Sequence, residues 1–327
     1  MGLLVDGVWQ DHDRDIAGAG GTFARTASAF RNFVTPDGAP GPSGSGGFPA
    51  AAGRYHLYVA LSCPWAHRTL IFRALKRLED VISLSVVSPQ MKSGSWDFAD
   101  FPGVIPDSVN GKATLPEVYL AAEARFTGRV TVPVLWDKQR ATIVNNESSE
   151  IIRMLNSAFD AFTDDRTDYY PAALRAEIDE INAFVYANLN NGVYRAGFAR
   201  TQDAYEKACG DVFGALDRLE ARLSRQRYLV GHQITEADWR LFVTLVRFDA
   251  AYYGQFKCNL RRLIDYPNLS NYLRDLHSVP GVAATVDLAH IKQGYYRRRP
   301  DRNPGGIVPL GPALDFSAPH DRARFAK

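Results

Sequence analysis

In the run Tyr55-His56-Leu57-Tyr58-Val59-Ala60-Leu61-Ser62-Cys63-Pro64-Trp65-Ala66-His67-Arg68-Thr69-Leu70, a strand-like apolar stretch ends at Cys63 and a helix begins at Pro64. Proline suits the first helical turn because the amide it lacks would have no intrahelical partner there. Cys63 is thereby expected at a helix start, where free backbone N–H groups and the positive end of the dipole favour an anion. A thiol so placed should ionise more readily than the ordinary value of about 8.5, and the thiolate is the nucleophile. His67 and Arg68, one turn on, can add positive charge. A free cysteine is more commonly a small buried hydrophobe, but the order strand, Cys-Pro, helix favours the reactive role. Position 66 is alanine, where a dithiol site would carry its resolving cysteine. Any redox cycle at Cys63 must therefore borrow its second thiol from another molecule.

Two further stretches carry groups that bind. Val132-Pro133-Val134-Leu135 puts a proline at the entry to a strand, which marks an edge, a plain strand start or a locked isomer. Downstream of a strand–helix–strand unit with an N-terminal Cys-Pro, it reads as a cis-proline loop. The residue before such a proline offers N–H and C=O to an extended peptide, like an added strand. Glu147-Ser148 opens the next helix. Ser148 suits an ordinary N-cap, yet a helix start also receives a carboxylate, and a Glu just before it can pair with an ammonium group. A thiol-reactive cysteine, a peptide-pairing loop and a carboxylate-plus-ammonium site together describe glutathione.

The elements that must position these residues follow from periodicity. Strand 55–60 leads into helix 64–78, where Leu70, Ile71, Ala74, Leu75 and Leu78 recur at helical spacing. Strand 81–87 follows, and this β-α-β unit implies a parallel pair. Residues 88 to about 128 break into Gly, Pro, Ser and aromatics, a length that is functional or holds short elements of its own. Strands 134–137 and 141–144 and a capped amphipathic helix from Asn146 to Leu155 complete a thioredoxin-like layout. Past a linker at 157–171, strand signals largely vanish. Helical periodicity runs through 172–190, 202–224, 235–252, 268–277 and 280–292. Residues 1–53 are rich in Gly, Ala and Pro and are expected as an extended arm, unable to bury enough apolar surface to offset their ordering. The tail from Arg297 is irregular, with Arg297, Arg298 and Arg299 on a solvated face. The predicted division is an arm at 1–53, an α/β thioredoxin-like domain at 54–157, and an all-α domain with its tail at 158–327.

Bulk properties narrow the class. The chain has 327 residues, 46% hydrophobic and 23% charged, an ordinary soluble composition with length for two domains. A formal charge of +2 is too small to argue for nucleic acid or an anionic membrane surface. No run approaches the roughly 20 apolar residues of a bilayer span, and the N-terminus lacks a signal-peptide pattern. Its Met-Gly start carries Asp6 where a myristoylation motif wants Ser or Thr. Three scattered cysteines, Cys63, Cys209 and Cys258, give no disulfide framework and fit a reducing cytoplasm. They and the seven histidines show no zinc-type spacing, so no metal is expected.

Here a resemblance becomes specific. Ile234-Thr235-Glu236-Ala237-Asp238-Trp239-Arg240-Leu241-Phe242 resembles the buried capping motif in the helical domain of cytosolic glutathione transferases. Thr235 should cap its helix with Asp238 reinforcing it, a folding role. Within that superfamily, four stretches resemble the Xi class, the glutathionyl-hydroquinone reductases. They are Ser62-Cys63-Pro64-Trp65-Ala66-His67-Arg68, Gly94-Ser95-Trp96-Asp97-Phe98, Thr131-Val132-Pro133-Val134-Leu135-Trp136-Asp137 and Asn146-Glu147-Ser148-Ser149-Glu150-Ile151-Ile152-Arg153. The match covers roughly residues 40–310.

The resemblance implies Cys63 as nucleophile, with Trp96, Arg129, Val132, Glu147 and Ser148 holding glutathione. It implies that Tyr194, Tyr253 and Tyr296 line an aromatic acceptor pocket, Tyr194 and Tyr296 as candidate proton donors. Nothing in their spacing says they converge, and most of the fifteen tyrosines should be core or surface filler. The implied reaction is glutathione-dependent reduction of glutathionyl-hydroquinones through a Cys63–glutathione mixed disulfide, with glutathione a cosubstrate, no bound cofactor, and a homodimer in the cytoplasm. The alternatives are an Omega-like thioltransferase or dehydroascorbate reductase, and a non-catalytic glutathione-fold module with an unreactive Cys63. Conjugation is disfavoured, because a cysteine there traps glutathione as a disulfide.

Overall fold

A computed structural model of the chain describes residues 2–10, 19–297, 299 and 302–325. Of the expected arm and tail, Met1, residues 11–18, Arg298, Pro300, Asp301 and the last two residues lie outside this set. The chain forms two compact units. The first holds residues 2–10 and 26–167 of those described, and the second holds 19–25 and 168–325.

The first unit is built on a four-stranded main sheet. β1 (Leu3–Val5) and β2 (Val8–Gln10) form an N-terminal hairpin, described below, and β3 (Tyr55–Val59) opens the main sheet. Helix α1 (Pro64–Leu75) connects β3 to β4 (Ser83–Val86), which pairs parallel with β3, as a β-α-β unit requires. Helix α2 (Leu115–Ala122) and the two-residue β5 (Gly128–Arg129) lie in the long insertion. Strands β6 (Val134–Asp137) and β7 (Thr142–Asn145) then run antiparallel, and helix α3 (Ser148–Ser157) packs on α1. The sheet order is β4-β3-β6-β7. β3 and β6 are buried along their whole length, the mark of strands covered on both faces. The polar side chain His56 is accommodated there because its ring nitrogens meet Ser83 Oγ at 2.7 Å and Ser85 Oγ at 2.9 Å on the neighbouring strand.

Of the arm expected at 1–53, residues 2–10 and 26–53 are instead part of this unit, and residues 19–25 belong to the second. The arm's first residues pair with β5, so that β2, β1 and β5 make a small second sheet with Leu4 buried. Residues 26–50 stay extended but dock through the buried Phe33, Val34 and Phe48 and through backbone bonds such as Asn32 N to Val144 O at 3.0 Å. A Gly- and Pro-rich stretch does not form its own core, but it can complete one already present. The far boundary also moves, from 157 to Thr167. Buried Lys76, at the end of α1, donates to Thr167 O at 3.0 Å, pairs with Asp160 at 3.2 Å, and accepts from Thr163 Oγ1 at its own carbonyl at 2.7 Å. Helix α1 stops at Leu75, three residues short of the expected end, because Arg77 turns left-handed at φ 49°.

In the second unit the expected periodic segments appear as α4 (Arg175–Val185), α6 (Gln202–Leu223), α7 (Glu236–Arg247) and α9 (Pro267–His277), the segment expected at 280–292 appears later as α10 (Leu288–Tyr296), and α5 (Gly192–Gly197) and the short α8 (Tyr253–Gln255) lie outside the expected segments. Two helices widen into π-type turns where longer regular helices were expected: α4 over Tyr186–Asn190 and α7 over Phe248–Tyr252. The start of α7 is a buried capping box, as expected from Thr235 and Asp238. Asp238 accepts from Thr235 N and Leu229 N, both at 2.8 Å, and from the Tyr272 hydroxyl at 2.7 Å. Burial raises its carboxyl despite these donors. No helix among the described residues is long and apolar enough to cross a membrane.

Candidate functional site

In the first unit, Cys63, Val132, Glu147 and Ser148 lie around the starts of two packed helices, linked through Arg68. Cys63 is the N-cap of α1, with Pro64 in the first turn. It is partly exposed, whereas Cys209 and Cys258 are buried in the second unit. The sulfur lies 3.7 Å from the carbonyl oxygen of Val132, to which it is placed to donate as a thiol. The Val132–Pro133 bond is cis, as the strand-entry proline predicted. Both residues precede β6, so the loop that carries Val132 is fixed by the sheet on one side. On the other side, Tyr119 of α2 donates its hydroxyl to Thr131 O at 2.9 Å.

Glu147, rather than Ser148, is the N-cap of α3. Its Oε1 accepts from Ser149 N at 3.0 Å and from Ser149 Oγ at 2.9 Å, and its Oε2 accepts from Ser28 Oγ at 3.0 Å. Burial pushes the Glu147 carboxyl up, but these donors and the nearby Arg68 charge outweigh it, and the group sits below its ordinary value. It is therefore ionised at neutral pH and suited to an ammonium partner. Ser148 is buried as the first helical residue, and Arg68 of α1 reaches its Oγ at 3.4 Å while stacking over the Trp65 ring at 4.7 Å. The positive charge expected one turn past Cys63 is thus directed at the start of α3.

Trp96 comes from the insertion, held by Leu115 N donating to its carbonyl at 2.9 Å. Trp96 is 7% exposed, and its buried indole N–H has no hydrogen-bond partner among the described residues. A buried donor left unmade costs about 1–3 kcal/mol, so this one fits an acceptor brought by a ligand. Arg129 lies on β5 opposite Leu3 of β1.

The tyrosines belong to the second unit. Tyr194 of α5 is hydrogen-bonded hydroxyl to hydroxyl with Tyr295 of α10 at 2.6 Å, and Tyr295 in turn with Tyr252 at 3.0 Å. Phe23, Phe198 and Phe256 pack around this ladder of three phenols. Burial holds Tyr252 and Tyr295 well above the ordinary phenol value, so both stay protonated. Tyr253 and Tyr296, the partners expected for Tyr194, each stand one residue past the ladder. Tyr296 instead lays its hydroxyl against α8, where the missing side chain of Gly254 leaves room for it. The π-type turn at Phe248–Tyr252 adds a residue to the helix and so decides which member of the Tyr252-Tyr253 pair faces inward. The tyrosine doublets 252–253 and 295–296 were the available signal, but nothing in them says which member to choose. Ser28 left no signal at all.

Comparison with known proteins agrees in both halves. The family model "Glutathione S-transferase, N-terminal domain" matches residues 62–158, and "Glutathione S-transferase, C-terminal domain" matches residues 202–275. The chain is 54% identical over 323 residues to the glutathionyl-hydroquinone reductase YqjG of Escherichia coli strain K12, covering 98% of each. It is 54% identical over 313 residues to the glutathionyl-hydroquinone reductase PcpF of Sphingobium chlorophenolicum, covering 96% of this chain and 97% of that one. The glutathione-bound structure of YqjG superposes with a TM-score of 0.91 at 52% identity, over 98% of this chain and 99% of that one. The Xi class GST from Natrialba magadii superposes at 0.92 with 46% identity, over 99% and 98%.

Proposed function

The chain belongs to the Xi class of glutathione transferases, the glutathionyl-hydroquinone reductases, and from that membership we propose that it reduces glutathionyl-hydroquinones to hydroquinones. The Cys63 thiolate attacks the thioether sulfur of the substrate. A sulfur–sulfur bond forms, the bond from sulfur to the aromatic ring breaks, and its electron pair passes to the ring carbon. That carbon takes a proton and leaves as hydroquinone. A second glutathione thiolate then attacks the Cys63–glutathione disulfide at the glutathione sulfur, which releases glutathione disulfide and restores Cys63. The observation that carries this route is a partly exposed cysteine at a helix start, the only cysteine in the sequence of its unit. A monothiol must pass through an adduct with an outside thiol.

The groups of the first unit support glutathione as that thiol. Val132 offers its backbone to the tripeptide, the Trp96 indole N–H is an unused donor for an acceptor on it, and the ionised Glu147 suits its amino group. Ser148 at the start of α3 suits the neighbouring carboxylate, and Arg129 belongs to the same set. The proton for the ring carbon comes from a phenol of the second unit. Tyr194, whose hydroxyl is backed by Tyr295 and Tyr252, is the member we assign. A homodimer acting in the cytoplasm is part of the same proposal, and sedimentation velocity tests the first half of it.

Changing Cys63 to Ser tests the mechanism. Turnover of glutathionyl-hydroquinone should vanish, and rapid quenching of the native enzyme should trap the mixed disulfide by mass spectrometry. Retained activity in the variant would refute the route. Faster turnover of dehydroascorbate than of the quinol conjugate would favour the Omega-like alternative instead.

A further inference from the structure

The segment that sequence composition assigns to a loose arm reaches one of the groups proposed to hold glutathione. Phe30 and Asn146 are locked together twice, by Phe30 N to Asn146 Oδ1 and by Asn146 N to Phe30 O, both at 3.1 Å. Asn145 Nδ2 donates to Asn32 O at 2.9 Å, and its Oδ1 accepts from Glu147 N at 2.7 Å. Arg31 grips Glu150 of α3 with two nitrogens. In the middle of this clasp, the Ser28 hydroxyl bonds Glu147 Oε2 at 3.0 Å and lies 3.3 Å from Asn146 O.

We propose that Ser28 is a positioning residue for glutathione: its hydroxyl fixes the rotamer of the Glu147 carboxylate so that the free side of the group faces the γ-glutamyl ammonium of the tripeptide. The proposal rests on the glutathione reading above and deepens it. Ser149 holds only Oε1, so without Ser28 the second oxygen loses its fixed donor and the carboxylate can swing. The charged groups facing Glu147 are Arg68 from α1 and Arg31 from the clasp. Both remain when Ser28 is changed, so the loss is confined to the contacts of one hydroxyl, with Glu147 Oε2 and with Asn146 O.

The test is calorimetric binding of glutathione to native protein, Ser28→Ala and Ser28→Thr, repeated with an analogue whose γ-glutamyl amino group is replaced by hydrogen. Ser28→Ala should bind glutathione about tenfold more weakly at neutral pH, the usual worth of one bond to a charged group, and Ser28→Thr should restore most of it. With the deamino analogue the native protein and Ser28→Ala should bind alike, because the ammonium that Glu147 meets is gone. A general structural loss would weaken both ligands. Removing a donor from the carboxylate also raises its pKa, so the acid-side loss of glutathione affinity should begin at higher pH in Ser28→Ala. Equal glutathione binding and an unmoved pH profile in the variant, or an equal penalty on both ligands, would overturn the assignment alone. Failure of the native protein to bind glutathione would overturn the glutathione reading and the assignment with it.

Discussion

The two units solve the problem of holding reactive groups in opposite ways. Around Cys63, the groups sit at helix starts and on a strand-entry loop, and they work through charge and backbone: an ionised Glu147, the guanidinium of Arg68, and the carbonyl of Val132. In the second unit the candidate groups are three phenols on separate helical segments, joined hydroxyl to hydroxyl and packed against phenylalanines. A charged site responds to pH and depends on donors that keep it ionised. Tyr252 and Tyr295 stay protonated far into alkali, and what the ladder depends on is packing. The first unit is therefore expected to govern capture of glutathione and the second to govern delivery of a proton.

Beyond the complete loss set out for Cys63→Ser, the sharpest way to break this contrast is Tyr194→Phe. If the hydroxyl is the proton source, kcat for the quinol conjugate should fall about 10²–10³-fold, within the range of general acid catalysis. Glutathione affinity, measured directly, should be unchanged. A matching drop in glutathione binding would mean that the division of labour is wrong.

The next effect concerns stability and belongs to the polar interior of the first unit. Burial drives His56 down to about 4, and both ring nitrogens are held by Ser83 and Ser85. The unfolded imidazole titrates near 6.5. Between those values the unfolded chain takes up a proton that the native one refuses, so stability is lost as pH falls from about 6.5 to 4. The total is about 3 kcal/mol. Urea midpoints measured across that window should drop more steeply for the native protein than for His56→Gln. Parallel slopes would show that His56 contributes nothing to acid sensitivity.

The smallest effect discriminates between neighbours. Tyr252→Phe removes the far end of the phenol ladder and should lower kcat about tenfold, the worth of one buried hydrogen bond. Tyr253→Phe, one residue on, should leave kcat within about twofold. The reverse result would restore the pairing expected from family resemblance and remove the ladder from the mechanism.

Much of the first unit was legible because its signals are local. Cys63-Pro64, Val132-Pro133 and Glu147-Ser148 each sit where one element gives way to another, and the backbone rules for such junctions operate over a few residues. The Thr235–Asp238 box was legible for the same reason. Ser28 was not, because a serine in a Gly- and Pro-rich stretch looks the same whether it is solvated or, as here, bonded to a carboxylate 119 positions later. The phenol ladder was half legible. Tyr194 was named, but its partners depend on a π-type turn, whose extra residue rotates every later side chain on its helix by about 100°.

The amino-acid sequence by itself determined the β-α-β, then β-β-α order of the main sheet, the place of Cys63 at a helix start with no second cysteine two or three positions on, and the junctions at Val132-Pro133 and Glu147-Ser148. All of these are consequences of residue type and short-range backbone preference. Tertiary structure alone decided that the N-terminal segment completes the first unit, that Ser28 meets Glu147, and which tyrosine of each doublet turns inward. Those outcomes rest on contacts between residues far apart in the chain, where packing and unsatisfied hydrogen bonds select among conformations that local propensity leaves nearly equal in energy.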